Sequence, residues 1–246
     1  MALNPAEGLL LNGGTVGPLA VGEEAPPLAS APAREWLLPG ADEIFRGIYT
    51  RSGVDGTEVL GISSAIAGEG KTTIGLGLGV TIAQDYPERR IAFVETDFER
   101  PSLANDFDLE PSPGLMDCLL EDLPIQTACR ASFLPNLHLV PVGGPITNAG
   151  RWLRSARMTA AVGLLRQSYN LVILDLPALL VNSDSLLLTD LVDGMLLVVR
   201  AGATPTFLVN KAIAQLDDSR ALLHGVVLNE FHSAMPSWLR RACGLS

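Results

Sequence analysis

Lysine is nearly absent from this chain. Only Lys71 and Lys211 occur, and the other fifteen of its 17 basic residues are arginines. Against 27 acidic residues they leave a formal net charge of −10. That balance argues against a nucleic-acid binder, whose affinity for phosphate backbones rests on Lys and Arg contacts. Cysteine is sparse as well. Cys118, Cys129 and Cys243 lie far apart with no C-x-x-C pair, which fits a reducing compartment and supplies no disulfide or metal framework. His138, His224 and His232 show no ligand spacing. The N-terminus lacks a basic region followed by an apolar core. The most apolar stretches are cut by Asp175, Asp184, Asp190 and Asp193, so none reaches the roughly 20 uninterrupted residues of a membrane span. The expectation is a cytoplasmic protein, with docking at the inner face of the membrane left open.

Apolar residues make up 48% and charged residues 18% of the chain. This is a globular composition, with enough chain for one sizeable core. Residues 1–40 hold six glycines, six prolines and seven alanines without a period of 2 or 3.6, and read as a tail. From residue 41 to 246 we expect one domain. A helix is predicted from Ala41, with Asp42 as its cap and Ile44, Phe45 and Ile48 on one face. Short apolar runs then alternate with helical segments. The predicted strands are 59–62, 91–94, 137–140, 171–174, 194–199 and 225–228; the helices are 71–84, 148–167 and 204–216. Residues 101–136 contain five prolines and read as irregular chain with short helices. Continuous apolar strands are those buried on both faces of a parallel sheet. The fold class predicted is therefore α/β, a doubly wound, mainly parallel sheet flanked by helices. The order of its strands does not follow from the pattern.

The strongest chemical signal is Ala65-Ile66-Ala67-Gly68-Glu69-Gly70-Lys71-Thr72. It fits a relaxed phosphate-binding loop, between a buried strand and a helix. Successive backbone N–H groups there cradle anionic oxygens, aided by the helix N-terminus. Gly68, Glu69, Gly70, Lys71, Thr72 and Thr73 are the candidate nucleotide contacts. Lys71 is placed to reach the outer phosphates and Thr72 to ligate Mg²⁺. Such a loop needs carboxylates for the hard metal ion and its waters. Asp175 directly follows the strand 171–174, where doubly wound sheets bind ligands. Glu95 and Asp97 follow the strand 91–94, two residues apart and so expected to face one metal site. The candidate metal set is Thr72, Glu95, Asp97 and Asp175; the candidate catalytic set is Lys71, Asp97 and Asp175. Asn229 ends the last strand and could read a base edge or form a turn.

At these residues the chain resembles the bacterial tyrosine autokinases (BY-kinases) of capsule and exopolysaccharide operons. The serine entry Ser63-Ser64, the core Gly68-Glu69-Gly70-Lys71-Thr72-Thr73 and the segment Glu95-Thr96-Asp97-Phe98-Glu99-Arg100-Pro101 carry the likeness. Gly114-Leu115-Met116-Asp117, Pro141-Val142-Gly143-Gly144, Leu153-Arg154-Ser155 and Gly225-Val226-Val227-Leu228-Asn229 extend it in order. The resemblance implies a P-loop fold, ATP and Mg²⁺, phosphoryl transfer to protein tyrosine or water, and a membrane polysaccharide co-polymerase or chain-length regulator as partner. It leaves a homo-oligomer open. Partitioning-type ATPases carry a further lysine early in the loop; Ile66 stands there instead.

Some positions depart from the family pattern. Glu95 stands for the usual Asp, Glu99 for the usual Arg, and Tyr49 for the last Arg of E-x-x-R-x-x-R after Glu43 and Arg46. The chain's tyrosines are Tyr49, Tyr86 and Tyr169, so the C-terminal cluster used in autophosphorylation is expected to be missing. These departures support an alternative, a catalytically weak nucleotide-dependent scaffold. Arg151, Arg154 and Arg157 are expected on one side of the helix 148–167, either as a solvated face or as a docking patch. Trp238-Leu239-Arg240-Arg241 reads as a short anchor or a packing helix.

Overall fold

A computed structural model describes residues 41–54, 56–144, 149–181, 184–217, 219 and 221–230. The expectations for residues 1–40, Asn148, His232, Cys243 and Trp238–Arg241 lie outside them. Among the described residues, no helix is long and apolar enough to cross a membrane.

Seven strands form one sheet: β1 Val59–Ser64, β2 Ile91–Glu95, β3 Arg130–Ala131, β4 Leu137–Val140, β5 Leu171–Asp175, β6 Gly194–Arg200 and β7 Leu222–Asn229. Their order is β3-β4-β2-β5-β1-β6-β7. All neighbours are parallel except β3 with β4. The two-residue β3 was not predicted, because two residues carry no periodicity. The doubly wound α/β expectation holds. Every residue of β1, β2, β4 and β5 is buried, which is why those strands read as unbroken apolar runs.

The helices are α1 Ala41–Arg51, α2 Lys71–Asp85, α3 Leu103–Asp106, α4 Leu115–Glu121, α5 Ala149–Leu153, α6 Ala156–Ser168, α7 Asp184–Leu188 and α8 Thr206–Asp217. In α1, Asp42 lies inside the first turn rather than capping it, and ion-pairs with Arg46 at 3.9 Å. Ile44 departs from the expected face: Phe45 is buried, but Ile44 is 65% exposed. Helix α2 is covered on both sides, by the sheet and by α1. At Gly77 an added Cβ would sit 2.1 Å from the Phe45 ring, so only glycine lets α1 approach this closely. Arg46 also grips Asp85 at the end of α2 through two bonds, of 2.7 and 2.8 Å.

The single helix expected over 148–167 is two. Its break falls at Arg154-Ser155, where the Ser155 hydroxyl accepts the Met158 N–H and starts α6. A serine at a helix start satisfies a donor that the helix itself leaves open. The break also dissolves the predicted arginine face. Arg151 stacks on Trp152 in α5, whereas Arg157 pairs with Asp122 at 3.3 Å and donates to the Leu119 carbonyl.

Candidate nucleotide site

The loop Ala65–Gly70 leaves the C-terminal end of β1 and enters α2. β5 inserts between β1 and β2, so the register sets Asp175 beside Ile62 on one side and Glu95 on the other. This is the switch point of the sheet, where adjacent connections run to opposite sides and open a crevice. The chain after Asp175 is stitched to the loop. Ser63 Oγ donates to the Pro177 carbonyl at 2.6 Å, and the Leu180 N–H donates to the Ala65 carbonyl at 3.1 Å. The serine entry therefore holds the loop base against the end of β5.

Two glycines shape the loop. Gly68 has φ +83° and Gly70 has φ +88°, in the left-handed region that disfavours other residues. A Cβ at Gly70 would also lie 2.2 Å from Asn229 Nδ2. Glu69 turns its side chain away from the phosphate path. It accepts the Ile66 N–H at 2.7 Å, the Arg200 N–H at 3.0 Å and the Thr204 hydroxyl. This clamp between the loop and the end of β6 has no signature in the sequence beyond an acidic residue in the loop. Asn229 Nδ2 donates to the Glu69 carbonyl at 2.9 Å, and its Oδ1 accepts the Glu230 N–H. Its amide thus braces the loop.

Lys71 stands between two carboxylates, 3.0 Å from Asp97 and 3.4 Å from Asp175. Thr72 Oγ1 donates to Asp175 Oδ2 at 2.6 Å. Burial opposes the ammonium charge, but Asp175 and Asp97 outweigh it and hold the Lys71 pKa above its ordinary value. Burial pushes the Asp175 carboxyl up to about 6, against the pull of Lys71 and Thr72. A cleft of about 350 Å³ opens over this pair, lined by Gly68, Gly70, Lys71, Thr72, Thr73 and Asp97, and also by Arg100 and Asp106.

Glu95 does not join this cluster. Its Oε1 accepts the Ser102 and Leu103 N–H groups at 2.6 and 2.9 Å, and its Oε2 accepts the Val142 N–H at 3.2 Å. Burial raises its pKa, with those three N–H groups pulling the other way. The structure does not bring the Glu95 carboxylate to Asp97: Glu95 caps α3 and ties it to the end of β4. Among the described residues, no three His, Cys, Asp or Glu side chains gather into a metal cage. The oxygen donors that face the cleft are the Thr72, Thr73 and Ser102 hydroxyls and the Asp97 and Asp106 carboxylates, with Asp175 bonded to Thr72. They suit Mg²⁺, which is usually held by one or two protein oxygens plus substrate phosphates. Thr72 and Asp175 are the residues that would hold it.

A glycine-rich loop between a buried strand and a helix, with a lysine, a threonine and a neighbouring strand-end aspartate, defines a P-loop nucleotide-binding protein. Comparison with family profiles returned no match. Individual proteins do match. Tyrosine-protein kinase YwqD of Bacillus subtilis is 30% identical over 168 residues, covering 68% of this chain and 70% of YwqD. Tyrosine-protein kinase CpsD of Streptococcus agalactiae is 24% identical over 80% of this chain and 85% of CpsD. The succinoglycan biosynthesis transport protein ExoP of Rhizobium meliloti is 26% identical, but the chain spans only 22% of its length. Among solved structures, the VpsO kinase domain superposes with a TM-score of 0.73 at 26% identity, over 82% of this chain and 100% of that one. The kinase domain of Escherichia coli ETK superposes with a TM-score of 0.71 at 23% identity, covering 79% of each chain. The chain belongs to the bacterial tyrosine kinase (BY-kinase) family.

Proposed function

We propose that the protein binds Mg²⁺·ATP in the cleft over Lys71 and transfers the terminal phosphoryl group to a tyrosine of another protein, in the service of exopolysaccharide or capsule assembly. The observation that carries this reading is the Lys71–Asp175–Thr72 cluster, in which Lys71 and Asp175 are buried and Thr72 is half-buried, where the loop enters α2. Phosphoryl transfer requires mainly positioning and neutralisation of charge. The backbone N–H groups of 68–73 cradle the phosphates, and Lys71 neutralises charge on the outer ones. Asp175 keeps Thr72 oriented. Asp97, on the cleft wall 3.0 Å from Lys71, would accept a proton from an attacking hydroxyl. Mg²⁺ would supply further neutralisation of the phosphate oxygens.

Among the described residues no tyrosine lines the cleft, which supports a tyrosine of another chain as the acceptor. Tyr49 and Tyr169 are buried, and Tyr86 packs on Tyr49 with ring centroids 5.8 Å apart. The partner is a membrane polysaccharide co-polymerase, and the protein works in the cytoplasm at the inner face of the membrane. The wider span of ExoP supports this, since a matching kinase-like segment occupies only a fraction of that transport protein.

A second reading is a nucleotide-dependent scaffold with little turnover. It is favoured by Glu95, whose carboxylate is committed to backbone N–H groups. One experiment separates the two. ADP release and phosphotyrosine are measured on the purified protein, with and without the cytoplasmic segments of candidate co-polymerases. The kinase reading expects both signals, and their loss in Lys71→Ala. Normal ATP binding with neither signal overturns it. Partner binding that depends on ATP would then support the scaffold.

A further inference from the structure

Arg100 lies on the wall of the nucleotide cleft with Lys71, Thr72 and Asp97. Its side chain is exposed. Among the described residues it has no ion-pair partner, whereas Arg46, Arg157, Arg166 and Arg200 each have one. The chain is pinned on both sides of it. The Arg100 N–H donates to the Asp97 carbonyl at 3.2 Å. Two and three residues on, the Ser102 and Leu103 N–H groups are held by Glu95. Pro101 between them has a fixed φ. The base of the Arg100 side chain is therefore set in place while its guanidinium is exposed at the cleft wall.

Besides Lys71, Arg100 is the cationic side chain on the cleft wall among the described residues. Lys71 is already shared by two buried carboxylates, so its charge is largely compensated before any phosphate arrives. Asp106 adds another acid to the wall. Glu99, which brings negative charge where the family has arginine, is exposed and does not line the cleft.

We propose that Arg100 is the residue that reads the terminal phosphate of ATP in this protein, and that Glu95 is its positioning residue. This rests on the reading of the cleft as an ATP site. A guanidinium presents a planar fork that meets two phosphate oxygens at once, which an ammonium cannot do. Contact with the terminal phosphate gives Arg100 a particular signature: it discriminates ATP from ADP, whereas the loop N–H groups hold both. It also gives Glu95 a role that needs no metal. The longer side chain of glutamate spans from the end of β2 to the α3 N–H groups and fixes the turn that carries Arg100.

Calorimetric titrations with Mg²⁺·ATP and Mg²⁺·ADP test this on the full chain, with wild type, Arg100→Ala and Arg100→Lys. Losing a charge-assisted phosphate contact should weaken ATP about tenfold relative to ADP in Arg100→Ala. Arg100→Lys keeps the charge without the fork and should recover part of that loss. Thermal melting should show both variants folded, since the side chain is exposed. An unchanged ATP-to-ADP ratio in Arg100→Ala, with the wild type binding both nucleotides, overturns the role of Arg100 and leaves the ATP site standing. A wild type that binds neither nucleotide overturns both. The Glu95 half is read with Glu95→Gln. It should keep the fold and shift the ATP-to-ADP ratio in the direction of Arg100→Ala; an unshifted ratio reduces Glu95 to a structural cap.

Discussion

Glu95 and Asp175 end adjacent strands and are direct neighbours in the sheet register. Both are buried carboxylates, at 2% and 1% exposure. Their partners differ completely. Asp175 faces a lysine ammonium and a threonine hydroxyl at the loop. Glu95 faces three backbone N–H groups from two other segments. The reason lies in the path of the chain beyond each strand. After β5 the chain pairs with the end of β1, leaving the Asp175 side chain to α2. After β2 it turns back over the strand end, and the first N–H groups of α3 take the Glu95 carboxylate. A carboxylate at a strand end is thus chemical or architectural according to the donors that the next segment brings to it. Burial alone does not separate the two, since it raises the pKa of both.

The contrast is tested most severely at Lys71. Lys71→Ala should abolish nucleotide binding in a fluorescence titration. It should also cost the folded protein about 3 kcal/mol in urea unfolding, because two carboxylates are left buried without a counter-charge. Retained nucleotide affinity would disprove the assignment of the loop.

Glu95→Ala is the matching test on the architectural side. It leaves three donors without an acceptor and should destabilise the protein by about 2–3 kcal/mol. Glu95→Ala that melted like the wild type would show that the N–H groups find other partners.

The third test reads pH. A folded Asp175 pKa of about 6 lies above the unfolded value of about 3.9. Its contribution to stability is therefore fully present below about pH 4 and lost as pH rises through about 6. Asp175→Asn should flatten this part of the pH–stability curve of the nucleotide-free protein while removing turnover. A curve of unchanged slope between pH 4 and 7 would place the titration elsewhere. Glu95, whose pKa is also raised, contributes in the same direction, so the slope should shrink rather than vanish.

The smallest effect is expected at Asn229. Asn229→Ala loses a brace on the Glu69 carbonyl, and should weaken ATP and GTP alike by about threefold, on the scale of one neutral hydrogen bond. A change confined to one base would instead support a base-reading role for it.

The E-x-x-R-x-x-R pattern illustrates a similar divergence between pattern and partner. Glu43 and Arg46 match it, yet Arg46 is bound to Asp85 within the same chain. Tyr49, where the last arginine would stand, is a core residue whose hydroxyl accepts from Arg89 at 2.7 Å. These residues of α1 are turned to packing within the chain, Arg46 onto the end of α2 and Tyr49 into the core.

The amino-acid order alone marked out the local elements that repeat a strong physical signal. Apolar runs identified six of the seven strands described; β1, β2, β4, β5 and all but the last residue of β6 are buried and show no polar alternation, while β7 stands out by its apolar composition although it is partly exposed at the sheet edge. The loop with Gly68, Gly70, Lys71 and Thr72 was legible because it is contiguous and its glycines and lysine stand at fixed intervals. Tertiary packing set what contiguity does not encode. It inserted β5 between β1 and β2, which brings Asp175 to Lys71 across 104 positions of chain. It also sent Glu95 to the α3 N–H groups, turned the Glu69 carboxylate to Arg200 and Thr204, and broke the arginine-bearing helix at Ser155. Each of these outcomes depends on which donors lie within hydrogen-bond reach of a side chain. Only the packed chain sets those distances.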